Sequence, residues 1–203
     1  MGRISPFDTE NATATGNAQK PILAPELAVS EWFNTPTALM LSGLRGRPIF
    51  LHSFQLLCPG CVSEALPQVK RIERAFGNTE LQVIGIHTVF EHHAAMTPVT
   101  LRAFLHEYRI SSPVAVDMTD ETSDIPVTMQ RFGMRGTPSS ILIGRDGAIL
   151  SHVFGVEDDL VLGARIAMAL NAAPPVTQEK SGTGDGCADG RCDVPAGTMA
   201  AGR

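Results

Sequence analysis

Cys58-Pro59-Gly60-Cys61 sets two thiols three residues apart, directly after the apolar run 48–54 and at the start of an amphipathic segment. Thiols at that spacing can close a small disulfide ring and pass electron pairs to other thiols. At a helix start, unpaired N–H groups and the positive dipole end stabilise a thiolate. Cys58, at the N-cap or first turn, is then the attacking sulfur. Cys61, one turn further on, is placed to attack a mixed disulfide formed on Cys58. Pro59 lacks an N–H and fixes the angle at which the chain enters, and Gly60 adds backbone freedom beside the sulfurs. The competing chemistry for such a pair is half of a zinc site.

Gly136-Thr137-Pro138 is the second element, just ahead of a hairpin strand. A cis bond at Pro138 would leave the Thr137 backbone free to pair with an extended substrate segment and would crowd the thiols against a metal. An ordinary trans strand entry is the alternative. His52, inside the apolar run, has two readings: a proton relay for Cys61, or a core histidine with one hydrogen bond and no role. Glu91-His92-His93, with His87 upstream, has the residue types of a metal cluster but not the spacing, which favours a solvated or loop-anchoring role. His106 and His152 are isolated, and Arg135 is either beside the site or a plain surface arginine. Cys187 and Cys192, with four residues between them, lie near the C-terminus. About fifteen flexible residues would carry them roughly 20 Å from the last helix, which makes an intramolecular redox relay with Cys58 and Cys61 reachable. The alternative is a free pair without catalytic duty.

The elements that position these residues follow from periodicity. Runs 48–54, 81–88 and 113–117 predict buried strands. Val62, Leu66, Val69, Ile72 and Phe76 recur at three or four and predict a helix over 59–76, bent at Pro67. A second helix is expected over 99–108. A short third one, capped by Ser123 or Asp124, should end near Gly133. Strands 139–143 and 148–154 flank an Asp-Gly turn, and a helix over 157–170 opens with acidic residues. The order β-α-β-α-β-α-β-β-α implies a mixed sheet with helices on both faces.

Composition bounds the rest. A chain of 203 residues, 43% hydrophobic, suits one packed domain. Residues 1–20 lack hydrophobic periodicity and are expected to be disordered, 21–172 form the domain, and 173–203 read as a flexible Gly-rich tail. The net charge of −5 gives no basic footprint for nucleic acid. No apolar stretch reaches the ~18–20 residues of a membrane span, and the polar start carries no secretory signal. A cytoplasmic address is expected, with no nucleic-acid or membrane partner.

Taken together, Cys58-Pro59-Gly60-Cys61 after a strand, Thr137-Pro138 some eighty residues later and the closing hairpin and helix resemble the thioredoxin fold. The long segment between Leu81-Gln82-Val83-Ile84-Gly85-Ile86-His87-Thr88 and Pro113-Val114-Ala115-Val116-Asp117 is similar to that of TlpA-like, redoxin-type thiol–disulfide oxidoreductases. The resemblance covers roughly 24–171. It implies a three-layer α/β/α domain exchanging electrons with protein or low-molecular-weight disulfides, supplied by an electron donor the sequence does not identify, and no cofactor. It implies Cys58 as nucleophile, Cys61 as resolving thiol, Pro138 as the cis-proline, and Leu57, Pro59 and Thr137 as the substrate-facing positions. Three departures stand out. Leu57 replaces the usual aromatic before the first cysteine, Pro67 falls one position late, and His52 stands where an acidic residue or Asn is common. Peroxiredoxin-type chemistry is the second enzymatic reading, but Leu51 and Gln55 occupy the positions of its Pro and Thr or Ser, so the peroxide-activating hydroxyl is missing. A cysteine-based metal-binding module is the third.

Overall fold

The computed structural model describes residues 21–173. Its six strands are β1 (Val29–Phe33), β2 (Ile49–Phe54), β3 (Gln82–His87), β4 (Val114–Asp117), β5 (Ser139–Ile143) and β6 (Ile149–Phe154). They form one sheet in the order β1-β4-β3-β2-β5-β6. Four helices connect or close them: α1 (Leu66–Phe76), α2 (Pro98–Glu107), α3 (Val127–Phe132) and α4 (Asp159–Asn171). Helical crossovers make β2, β3 and β4 parallel, and β5 and β6 close the sheet as an antiparallel hairpin. This is the expected mixed sheet of a thioredoxin-like fold.

All six residues of β2 are buried, because the strand is central and both faces are covered. On one face Leu51, Ile84, Ile86, Ile141 and Ile143 pack with Met129 and Phe132 of α3. On the other, Phe50 packs with residues of α1 and α4, while Phe54 packs with Cys61, Leu66 and the α2 residues Leu101 and Leu105. β2 lies between β3, to which it is parallel, and β5, to which it is antiparallel, and the loop at its C-terminal end carries Cys58. Ligands and reactive groups collect at such ends.

Three details depart from the periodicity reading. β1 was not expected: among the described residues it pairs with β4, antiparallel and more than eighty residues away, and its burial is mostly partial. The first helix runs over 59–76 as expected, but its winding is not uniform. Residues Cys61–Ala65 are wound as a π-helix, with Leu66 N–H donating to the Cys61 carbonyl, and α winding resumes at Leu66. Pro67 sits in the first turn of α1, where its missing N–H is harmless. The third correction concerns α3. Neither Ser123 nor Asp124 caps it. Buried Asp117, at the end of β4, accepts the N–H groups of Thr128 and Met129 at 2.8 and 3.0 Å and the Thr88 hydroxyl at 2.8 Å. Gly133 ends α3 as expected, with a left-handed φ of 63°.

Candidate active site

β2 delivers the chain to Cys58, and the first turn is held by main-chain bonds. Cys58 N–H donates to the Gln55 carbonyl at 3.3 Å, and the Cys58 carbonyl accepts Cys61 and Val62 N–H at 3.1 and 3.2 Å. Cys61 N–H also lies 3.3 Å from Cys58 Sγ. The two sulfurs are 2.6 Å apart. Their environments differ: Cys58 is half-buried, while Cys61 is 2% exposed among Phe54, Leu56 and Leu66. Burial pushes the Cys61 thiol up to about 12, and its neighbour Cys58 adds to that. The Gln55 main chain and the Thr137 side chain pull the other way.

The turn before β5 closes over these sulfurs. Thr137–Pro138 is a cis peptide, and the Thr137 carbonyl lies 3.5 Å from Cys58 Sγ. Gly155 N–H donates to the Pro138 carbonyl at 2.8 Å, tying the turn to the end of β6. Gly136 is closed in by Phe154, whose ring would stand 2.9 Å from a Cβ there. Arg135 lies over that ring at 5.1 Å, so it flanks the site rather than standing apart. Leu57 and Pro59 are exposed on the rim.

Sequence reasoning thus selects Cys58, Cys61, Thr137 and Pro138 as neighbours, and the tertiary structure brings them together. His52 is placed differently. It is 6% exposed on the sheet face that carries Phe50 and Phe54, stacked between their rings at 6.4 and 5.7 Å. Its Nε2 has no partner, and neither sulfur hydrogen-bonds it among the described residues. Burial lowers its pKa to about 4, so the imidazole is neutral. His87 is not part of the loop with Glu91, His92 and His93. It is 1% exposed at the end of β3, packed against Phe54, with neither ring nitrogen partnered, and burial lowers its pKa to about 4 as well. His106 and His152 are exposed. Gln55, which the sequence reading used only to argue against a peroxidase, sits behind the site with its amide on the Thr137 hydroxyl at 3.3 Å. A polar residue at the inner end of an otherwise apolar strand was the signal. Among the described residues no three His, Cys, Asp or Glu side chains converge as a metal site would require. Cys187 and Cys192, with the segments expected to be disordered, lie outside the described residues.

No protein-family model matches the chain. Among curated proteins it is 28% identical over 155 residues to Protein DipZ of Mycobacterium bovis, covering 75% of this chain and 21% of that protein. It is 24% identical over 125 residues to the thiol-disulfide oxidoreductase ResA of Halalkalibacterium halodurans, covering 61% and 64%. The chain therefore spans about a fifth of DipZ and under two thirds of ResA. Solved structures match over nearly their whole length. One is a thioredoxin-like superfamily protein, 49% identical, TM-score 0.74, covering 76% of this chain and 99% of that one. Another is a thiol-disulfide isomerase from Corynebacterium glutamicum, 45% identical, TM-score 0.69, covering 74% and 98%. With a cysteine pair at the head of the first helix facing a cis-proline turn, and with these relatives, the chain belongs to the thioredoxin-like superfamily.

Proposed function

We propose that this protein exchanges electron pairs with protein or low-molecular-weight disulfides through Cys58 and Cys61. The observation that carries the reading is the pairing of a half-buried sulfur with a buried one 2.6 Å away, under a carbonyl of the cis-proline turn. In the reducing direction the Cys58 thiolate attacks a client disulfide. That S–S bond breaks, one client sulfur leaves as a thiolate and takes a proton, and Cys58 is left in a mixed disulfide. Cys61, deprotonated, then attacks Cys58 Sγ. The second client thiolate leaves, two electrons have passed to the client, and the Cys58–Cys61 disulfide awaits a dithiol donor. The reverse sequence oxidises a client dithiol.

Thr137 and Pro138 serve as the backbone against which an extended client segment lies, with Leu57 and Pro59 as its neighbours on the rim. His52 enters as a relay for the Cys61 proton, supported by its unpartnered Nε2 and its place beside Phe54, which packs with Cys61. Its test is His52→Ala, which should slow exchange more than it lowers stability. The reading extends to Cys187 and Cys192 as an intramolecular relay: Cys187 attacks the Cys58 side of the site disulfide, and Cys192 then releases Cys58 as a thiol. Truncation at Ala173 should slow turnover, and undiminished turnover with a protein disulfide removes the relay. The cytoplasmic address rests on composition alone, and fractionation of the tagged chain checks it.

The deciding experiment is capture in cells with Cys61→Ser. This variant should accumulate a dithiothreitol-sensitive adduct on Cys58, and Cys58→Ser should not. Reduction of a model peptide disulfide, driven by dithiothreitol, should vanish in Cys58→Ser. No adduct and no turnover in the intact protein would overturn the reading.

A further inference from the structure

A groove of about 750 Å³ runs along α1 to the end of α2, and it is cationic in a chain whose net charge is −5. Lys70, Arg71, Arg74 and Arg109 line it, against the carboxylate of Glu73. Arg71 is committed, because its guanidinium holds Asp159 of α4 at 2.6 and 3.1 Å. Lys70 donates to the Tyr108 carbonyl and keeps its charge. Among the described residues, Lys70, Arg74 and Arg109 have no carboxylate within ion-pairing distance.

Arg109 stands where local stability favours another residue. It follows the C-cap of α2 with a left-handed φ of 50°. Its N–H donates to the His106 carbonyl at 3.0 Å, and Ile110 N–H to the Leu105 carbonyl at 2.9 Å. Glycine or asparagine is usual in such a turn. An arginine there strains the turn and adds a cation to the groove, so the side chain is what the position supplies.

The groove ends at the redox site. Val62 lines it, and Val62 N–H donates to the Cys58 carbonyl at 3.2 Å. From Val62 to Arg74 the helix rises about 18 Å. The sequence beyond the described residues holds a segment of opposite sign and matching length. Asp185, Asp189 and Asp193 bracket Cys187 and Cys192, with Arg191 the one cation among them. Six residues, the separation of Cys187 from Asp193, span at most about 20 Å. The tether is long enough. α4 starts at Asp159, which holds Arg71 in the groove wall, and its 13 residues span about 20 Å. The fifteen residues from Ala172 to Gly186 can bridge up to about 50 Å.

We infer that the groove docks residues 185–193 of this chain, with the aspartates on Lys70, Arg74 and Arg109, and so delivers Cys187 to Cys58. This rests on the proposed relay, in which the Cys187 thiolate attacks Cys58 and Cys61 leaves as a thiolate. A tethered segment needs little affinity, because attachment already sets its effective concentration. An acidic client segment is the competing occupant. The aspartates favour the tail, since they recur every fourth residue around the sulfurs that the relay uses.

The test uses the full chain carrying Cys61→Ser and Cys192→Ser, so that Cys58 and Cys187 are its only thiols. Substoichiometric 5,5′-dithiobis(2-nitrobenzoate) forms an adduct on one sulfur and releases one thionitrobenzoate. The other sulfur then displaces the second and closes a Cys58–Cys187 disulfide, at a rate read by stopped-flow absorbance. Arg74→Glu with Arg109→Glu should slow closure about fivefold or more, and added salt should slow the parent likewise. Asp185→Lys, Asp189→Lys and Asp193→Lys in the reversed chain should recover the rate. Arg109→Gly should slow closure while raising thermal stability, which separates lost docking from misfolding. In the chain also carrying Cys187→Ser, displacement of the Cys58 adduct by 2-mercaptoethanol should not change with the groove.

Closure unmoved by the groove variants, or unrecovered in the charge-swapped chain, overturns the docking and leaves the dithiol reading intact. Unmoved closure, with slower reduction of an aspartate-rich peptide disulfide by the groove variants of the parent, would give the groove to a client instead. Truncation at Ala173 judges the relay separately, by turnover. Failure of Cys58 to form the adduct overturns the dithiol reading itself.

Discussion

Gly85 on β3 lies directly beside His52 on β2, and the imidazole fills the space its missing side chain leaves. A Cβ at Gly85 would stand 3.1 Å from His52 Nε2 and 3.1 Å from Val114 Cγ2. Glycine weakens a strand interior, and it is retained in one where another group must approach closely. Gly85→Ala should therefore cost about 1–3 kcal/mol through overpacking, and His52→Ala in the same chain should recover part of that. Urea unfolding of the two single variants and the double one measures the coupling. Strict additivity would mean that the two residues do not share this space.

His52 and His87 are both neutral in the folded interior, each with a pKa lowered to about 4, mainly by burial. Unfolding restores the ordinary value near 6.5. The unfolded chain thus binds more protons than the native one between those limits. Stability is complete above about pH 6.5 and falls as the pH drops toward 4, by roughly 3 kcal/mol for each imidazole. Asp117 runs the other way, because burial raises its carboxyl and the folded state holds the extra proton. Comparison with His87→Leu isolates the histidine contribution. That variant should be more stable than the parent at pH 5 and show a shallower acid limb in unfolding titrations; parallel limbs would refute the assignment.

Asp117 satisfies three donors at once: the Thr88 hydroxyl and the Thr128 and Met129 N–H groups. Asp117→Ala strands all three in a buried setting, at about 1–3 kcal/mol for an unsatisfied group. We expect a loss of about 3 kcal/mol in chemical denaturation, together with earlier hydrogen exchange in α3 than in α1. Equal protection of the two helices would remove Asp117 as the cap.

Leu57 is 57% exposed, next to Cys58. A protein client lying across the cysteines covers it, whereas a small disulfide does not. Burying a leucine is worth about 1.5–3 kcal/mol, so Leu57→Ser should lower kcat/KM for a protein disulfide by roughly tenfold or more and leave oxidised glutathione unaffected. Parallel losses for both substrates would place Leu57 in the exchange machinery instead.

Thr137→Val separates the carbonyl of that residue from its hydroxyl. Its carbonyl, 3.5 Å from Cys58 Sγ, is unchanged by the substitution, and its hydroxyl is lost. Capture of clients on Cys58 in the Cys61→Ser background should persist, measured by adduct yield. A loss of capture would assign client binding to the hydroxyl.

What could be read from the linear chain was whatever depends on near neighbours. The spacing of Cys58 and Cys61, the three-and-four recurrence from Val62 to Phe76, the Asp-Gly turn and Gly133 each express a local geometric need. The inner strands were legible because continuous apolar runs suit strands covered on both faces. Long-range pairing decided the rest. β1 carries a mixed pattern because it is an edge among the described strands, and its pairing with β4 makes it a strand. Asp117 caps α3 from the preceding strand, which no local capping rule anticipates. His87 belongs to the core, although its neighbours along the chain suggest a polar loop. Gln55 and Thr137 meet across eighty-two positions of sequence, because β2 and β5 are hydrogen-bonded neighbours in the sheet. Chain order fixes which groups are near in sequence; burial and contact, and with them the acidity of each buried sulfur and imidazole, exist only once the sheet has closed.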